Sequence, residues 1–387
     1  MKNMLYPPYH SASRLFLGGV AALSLLVSPA LQAQTNFNFN NSTDPGWQHF
    51  VPDNYLFAPF TAGDMQTSVT FATNNSSAGN MGYHLHSGPT NMDGLYVLSA
   101  AEVPRVGSFF TNGPALTNFT MTGEFFHWNT TQSVVLAIAG RVQLPLPPTN
   151  SPGVQSPSNS LPPACLMLAY VNRRSSAYAI GATGGNDELR AEWSNPPNNA
   201  PQQLGNNGAF NGPGQTPTPG RSSSPDWTSG HYRLIFTANG TNVTGQIVDL
   251  STGLPMTFGG PSSNTNMLLT TTGIYPSYSD VGGAYGFYAC AGDSPIFPPP
   301  VGVGQPIDVH FDNFAIVPGV VTLESAAAAN GPYVQDTTAG IEVYPQRITV
   351  PTIGSAWFYR INWIGCNHTP AITSITLVGG NVVLTYN

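Results

Sequence analysis

Lysine is nearly missing from this chain: Lys2 is the sole one, and it sits among the first residues. Charge of either sign is scarce as well, at 7% of residues against about 25% in an ordinary globular protein. The formal net charge is −7. A lysine-free, mildly acidic surface lacks the clustered cations that sequence-independent nucleic-acid or anionic-membrane binding requires. Helical periodicity is also missing, since no run of ten or more residues after the first 33 repeats at 3.6. No later apolar run is long enough to span a bilayer, and no internal repeat of fixed period is visible. None of the glycine-rich runs follows a strand and opens a helix, so nothing cradles phosphate. Serines such as Ser175 and Ser176 lie in no nucleophile-elbow setting.

Cysteine is sparse: Cys165, Cys290 and Cys366 make three. An odd count in an oxidising compartment leaves at least one unpaired. Cys165 and Cys290 both lie in apolar, strand-like runs, where they would either meet across neighbouring strands or remain as buried thiols.

What is abundant is turn chemistry, with 41 glycines and 36 prolines in 387 residues. Residues 1–33 read as a secretory signal. Lys2 and Arg14 charge its first part, Leu15–Val27 is the apolar centre, and Ser28–Ala33 supplies small residues around a cut after Ala30 or Ala33. The expectation is an exported protein with no integral membrane segment once the signal is removed.

The firmest local signal is HYRLIFTANGTNVTGQIVDL, His231–Leu250. Tyr232, Leu234 and Phe236 alternate with Arg233 and Thr237, the period of a half-buried strand. Asn239-Gly240 suits a type I′ turn, which predicts the pairs Phe236/Val243, Leu234/Gly245 and Tyr232/Ile247 on one face. Thr237/Asn242 and Arg233/Gln246 then share the other, solvated face.

Further strands are predicted at Thr67–Thr73, Gly82–His86, Gly94–Leu98, Ser108–Thr111, Phe119–Trp128 and Gln132–Val142. After these come Cys165–Asn172, Tyr178–Ala182, Glu188–Trp193, Tyr285–Ala291 and Ile307–Val317. Two insertions, Gln143–Pro163 and Ser194–Asp226, are rich in Pro, Asn, Gly and Gln and break the pattern. The expected fold is all-β, an antiparallel jelly-roll β-sandwich over 35–318. A small C-terminal β module follows over 319–387, with strands in VTLESA, ITVP, WFYRINWI, AITSITLV and NVVLTY.

The segments FNFNNSTDPGW, GEFFHWNTTQSVVLAIAGRV, HYRLIFTANGTNVTGQIVDLS and VHFDNFAIV, in that order, resemble concanavalin A-like lectin/glucanase jelly rolls. The type is the laminin-G-like one of secreted bacterial proteins. The tail, with LESA, GPY, ITVP and FYRI, resembles a small module common at the C-termini of such proteins. The resemblance implies two stacked antiparallel sheets, with any ligand on the concave face or its rim loops, which the two insertions could cover.

Glu188, Arg190 and Glu192 share a strand face. Jelly-roll glucanases carry paired glutamates there as nucleophile and general acid, with an aspartate between them. Here Arg190 replaces that middle acid, and a solvated charged face is the expectation. Asp308, His310 and Asp312 alternate on the closing strand. If the first and last strands pair, Asn38, Asn40 and Asp44 come near, and the oxygens of Asp44, Asp308 and Asp312 would suit a structural Ca²⁺. Histidine suits calcium poorly, and the alternative is a solvated polar face. His84 and His86 share a face but lack a third ligand of matching spacing, and His127 stands beside Trp128, so all three are expected as surface histidines. Of the tryptophans, Trp47 and Trp128 are expected in the core. Trp193 and Trp227, bracketing the second insertion, are expected as exposed platforms for sugar rings.

The leading functional expectation is a secreted, non-catalytic recognition or adhesion protein that binds polysaccharide or a cell-surface glycan. The alternatives are an exported glycan-cleaving hydrolase using Glu188 and Glu192, and a purely structural envelope or matrix protein.

Overall fold

Alternating apolar residues and tight turns produce hairpins here, and hairpins stack into sheets. A computed structural model describes residues 35–51, 67–73, 81–87, 97–98, 105–128, 134–146, 163–172, 188–194, 202–206, 231–256, 268–271, 281–291, 302–303, 307–352, 358–365 and 369–387. Its strands begin with β1 Thr35–Phe37, β2 Trp47–Phe50, β3 Thr67–Thr73, β4 Met81–Ser87, β5 Val97–Leu98, β6 Arg105–Phe110, β7 Phe119–Trp128 and β8 Val134–Val142. They continue with β9 Cys165–Asn172, β10 Glu188–Ser194, β11 Gln202–Asn206, β12 Tyr232–Asn239, β13 Asn242–Asp249, β14 Leu254–Pro255, β15 Leu269–Thr271, β16 Ala284–Ala291, β17 Gly302–Val303 and β18 Asp308–Pro318. The C-terminal set is β19 Val320–Ala326, β20 Val334–Gln335, β21 Gly340–Val343, β22 Gln346–Pro351, β23 Phe358–Ile364, β24 Ile372–Val378 and β25 Asn381–Tyr386.

Sheet I has nine strands in the order β14-β13-β12-β7-β18-β4-β3, with β1 beside β18 and β15 beside β13. Sheet II has seven, β11-β10-β9-β8-β16-β6-β2. Every recorded pairing within the two is antiparallel, so the all-β sandwich expectation holds. Between the sheets lies one apolar layer. Sheet I gives it Tyr83, Phe119, Met121, Phe125, Leu234, Phe236 and Phe311; sheet II gives Trp47, Ile138, Leu168, Tyr170 and Phe287. Trp47 stacks against Phe287, with centroids 6.2 Å apart and planes 12° apart, as expected of a core tryptophan.

The predicted hairpin forms, with one correction. Asn239 pairs with Asn242, Phe236 with Gly245 and Leu234 with Ile247. The turn is therefore Gly240-Thr241, not Asn239-Gly240. Gly240 has φ +56° while Asn239 is not in the positive-φ region, the type II′ pattern that needs glycine only at the first central position. The pairing moves by two residues, which leaves every side chain on its predicted face. Gly245 faces the core, and a Cβ there would lie 2.2 Å from Leu168 Cδ1.

A second correction concerns the solvated face. Ile235, Val248, Ala315 and Val317, on the outward side of sheet I, pack with Val321, Leu323, Ile341, Val343, Ile348, Leu384 and Tyr386 of the C-terminal strands. Those strands form two small sheets, β20-β19-β23 and β21-β22-β25-β24. The chain passes from β18 into β19 through Gly319 alone, at φ +80°. Residues Gln34–Asn387 form one compact unit.

Sheet II is also buried on its outward side, where Phe109, Val135, Ala137, Ala139, Met167, Ala169 and Tyr288 form another apolar layer. That explains the unbroken apolar run of β8. The second insertion is not devoid of strand, since Gln202–Asn206 pairs with β10. The predicted Tyr178–Ala182 strand lies outside the described residues.

Candidate functional site

The carboxylates, imidazoles and guanidinium groups gather in three places. The first is the outward side of sheet I under the C-terminal strands. Arg233 Nη2 lies 2.5 Å from Glu124 Oε1 and 2.6 Å from Glu342 Oε1, and Arg347 Nη2 is 2.5 Å from Glu342 Oε2. Asn313 Nδ2 donates to Glu124 Oε2 at 2.8 Å. Burial pushes the Glu342 carboxyl up from its ordinary value, opposed by Arg233 and Arg347. Arg233, paired with Glu124 in sheet I, reaches across to Glu342 of the C-terminal strands, so this cluster fastens the two together.

The second lies at one end of the sandwich. Tyr83, in the core on β4, donates its hydroxyl to Asp44 Oδ2 at 2.7 Å. His49 Nε2 is 3.1 Å from the same oxygen, and its Nδ1 is 2.9 Å from Ser108 Oγ. The side chains of Asp44 and His49 are 27% and 34% exposed. Burial lowers the His49 pKa, with Asp44 pulling it back up, so the ring is neutral at pH 7. Ser108 is fully buried, which bars it from attacking a substrate despite its histidine partner. Phe37 and Phe110, each partly buried, flank Trp47 at 4.9 and 5.9 Å, and Trp47 itself lies 5.4 Å from Tyr83. The sequence offered no local sign of this group, because Tyr83 lies 39 positions from Asp44 and Ser108 lies 59 from His49.

The third follows β10. Arg190 and Glu192 share an outward face as predicted, 3.5 Å apart. The expected solvation is overturned: Glu192 is 1% exposed, because its neighbours across the ladder, Met167 and the Ala169 beside Arg190, belong to the outer apolar layer. The side chain of Glu188 lies outside the described residues. Trp193 is corrected in the same way. At 2% exposed it belongs to the inter-sheet core and presents no ring to solvent. Trp227 lies outside the described residues, and so does the side chain of Trp128.

The first and last strands do pair, Thr35 opposite Ile316 and Phe37 opposite Phe314. The predicted oxygen set still does not assemble. Asp44 bonds to Tyr83, on the core side of β4, whereas Asp312 alternates with core-facing Phe311 and takes the outward side. Asp312 accepts from the Asn313 backbone N–H at 2.7 Å, and the side chain of Asp308 lies outside the described residues. Among the described residues no three His, Cys, Asp or Glu side chains converge on a metal position. Cys165 and Cys290 are buried and in no disulfide. β8 separates their strands, with Cys290 beside Val135 and Leu166 beside Gly140 at the other end. Cys366 lies outside the described residues.

The geometry defines an all-β protein built on an antiparallel two-sheet sandwich. No protein-family model matches the chain, and no curated protein matches it in sequence. Similar solved structures are jelly-roll lectins, glucanases and a CBM2 module. A glycoside hydrolase family 16 endo-glucanase from Bacteroides ovatus is 10% identical with a TM-score of 0.37, covering 73% of this chain and 99% of that one. Lectin II from Ulex europaeus is 8% identical with a TM-score of 0.35, covering 73% and 97%. The CBM2 module of the evolved Dit of Lactobacillus casei BL23 phage J-1 is 13% identical with a TM-score of 0.35, covering 73% and 96%. Among the described residues, no helix is long and apolar enough to cross a membrane.

Proposed function

We propose that this chain is an exported, non-catalytic recognition or adhesion protein whose ligand is a glycan. The observation that carries the reading is the end-of-sandwich edge, where a partly exposed carboxylate, Asp44, is held in place by Tyr83 and His49. A carboxylate accepts about four hydrogen bonds, so Asp44 retains capacity for sugar hydroxyls beyond the two contacts on Oδ2. The partly buried rings of Phe37 and Phe110 belong to the same aromatic cluster and offer the apolar faces that sugar rings stack on. The non-catalytic part is supported by Glu192, sealed in an apolar layer beside Arg190. A hydrolase needs two carboxyl groups reaching one glycosidic bond.

The test is retention on a panel of insoluble polysaccharides. Wild type should bind at least one of them with modest affinity and release no reducing ends. Asp44→Asn should weaken retention about tenfold, the scale of a hydrogen bond to a charged group, with melting temperature followed in parallel. Trp227→Ala serves as the second arm. Absence of retention on every polysaccharide removes the glycan reading, and sugar release abolished by Glu188→Gln replaces it with glycan cleavage.

A further inference from the structure

Two short spacings, each insufficient for a metal site, become one array when their strands pair. β4 carries His84 and His86, two apart; β18 carries Asp308 and His310, two apart. In the ladder His84 stands opposite His310, and His86 opposite Asp308. Directly opposed residues of an antiparallel pair share a face with Cβ atoms about 4.5–5.5 Å apart. Tyr83, Leu85, Val309 and Phe311, which alternate with these four, all lie in the inter-sheet core. The four therefore occupy a two-by-two block on the outward side of sheet I.

The two described imidazoles already approach each other: the rings of His84 and His310 have centroids 4.3 Å apart and planes tilted by 46°. Two imidazoles on one tetrahedral zinc, with Zn–N of about 2 Å, place their ring centres about 5 Å apart. Only a small adjustment separates the two arrangements. The block is bounded on one side by Phe126, edge-on to His310 at 5.4 Å. Gly82, the next outward position on β4, leaves room for that ring, since a Cβ there would lie 3.0 Å from it. On the third strand His127 is in register with His310, and after a bulge the ladder resumes with Phe311 opposite Phe125.

We propose that the protein binds one divalent transition-metal ion of the Zn²⁺ type on this block, with the imidazoles of His84 and His310 as ligands and His86 and Asp308 in register beside them. Imidazoles with a single carboxylate suit Zn²⁺, whereas Ca²⁺ takes six to eight oxygens. An ion there joins the closing strand β18 to β4. Because the ligands converge only when those strands pair, the ion binds the folded state and stabilises it.

The experiment uses protein purified without a histidine tag and stripped with chelator. Calorimetric titration with ZnCl₂ should give one ion per chain and raise the melting temperature. Glutamine at position 84 (His84→Gln) or at position 310 (His310→Gln) should each weaken binding by at least about tenfold, the loss that even an outer partner's removal brings. His49→Gln, away from the block, should bind zinc as wild type does. Cobalt(II) loaded into wild type gives a readout independent of any variant. An intense visible band of four-coordinate, nitrogen-rich ligation supports the site; the weak spectrum of all-oxygen six-coordination overturns it. Wild type that fails to bind zinc at sub-millimolar concentration, or a His84→Gln/His310→Gln double variant that binds it equally well, also overturns it.

Discussion

The layer between sheets I and II and the layer between sheet I and the C-terminal strands both exclude water, but by different rules. The first is almost wholly apolar and is fixed by shape. Gly245 leaves the space that Leu168 fills from the opposite sheet. The second mixes aliphatic side chains with Arg233, held between Glu124 and Glu342. Apolar packing alone lets a small sheet slide over a larger one with little change in buried area. Paired charges taken out of water do not, since any displacement strands one of them. The ion cluster thus sets where the C-terminal strands sit, and the apolar residues set how tightly.

The largest test of this contrast is Arg233→Ala. It leaves two buried carboxylates without their shared cation and should cost about 3–5 kcal/mol of stability in a denaturant titration. A loss below about 1 kcal/mol would mean that water reaches the interface and the charges do not position it. Next comes Gly245→Val, which overfills the inter-sheet layer and should cost about 1–3 kcal/mol. Combined with Leu168→Ala, which reopens the space, the two losses should fall short of additive in a double-mutant cycle. Strict additivity would show that the two residues do not compete for one volume.

The smallest effect belongs to His49, in the polar group at the sandwich end. Its folded pKa lies below the ordinary 6.5, through burial first. The unfolded chain therefore binds more protons as pH falls past 6.5, so stability drops across that window and levels off below the folded value. Melting temperature measured from about pH 8 to about pH 5 should fall in wild type, and its slope should flatten in His49→Gln. An identical slope in the variant would assign the fall to other groups, His231 among them, whose pKa burial also lowers.

Alternation made the strands and their facing legible in the sequence, and the hairpin kept its facing even though the turn was misplaced. Asn239-Gly240 fits the commonest hairpin turn so well that the alternative, with Gly240 leading, carries no stronger local signal. The cover over Arg233 was not legible, because it is built from residues such as Glu342 that lie 109 positions along the chain. Trp193 misled for a related reason. Its place beside an amide-rich insertion suggests a rim, while the alternation of Leu189, Ala191 and Trp193 into the core is the sounder guide. The histidine block shows the opposite limit. Both spacings are visible in the sequence, yet only the adjacency of β4 and β18 brings them together.

The way the chain enters and leaves the sandwich bears on how it responds to a mechanical load. Thr35 lies opposite Ile316, so the incoming strand starts beside the point where β18 runs out through Gly319 into the C-terminal strands. Tension applied between these two points does not shear a row of ladder bonds together. It peels β1 from β18 one bond at a time, the weaker direction of loading, and lifts Phe37 from the aromatic cluster first. β18 stays clamped between β4 and β7 throughout. A sandwich made this way yields early at a three-residue strand and keeps its two main sheets intact under the pull that follows.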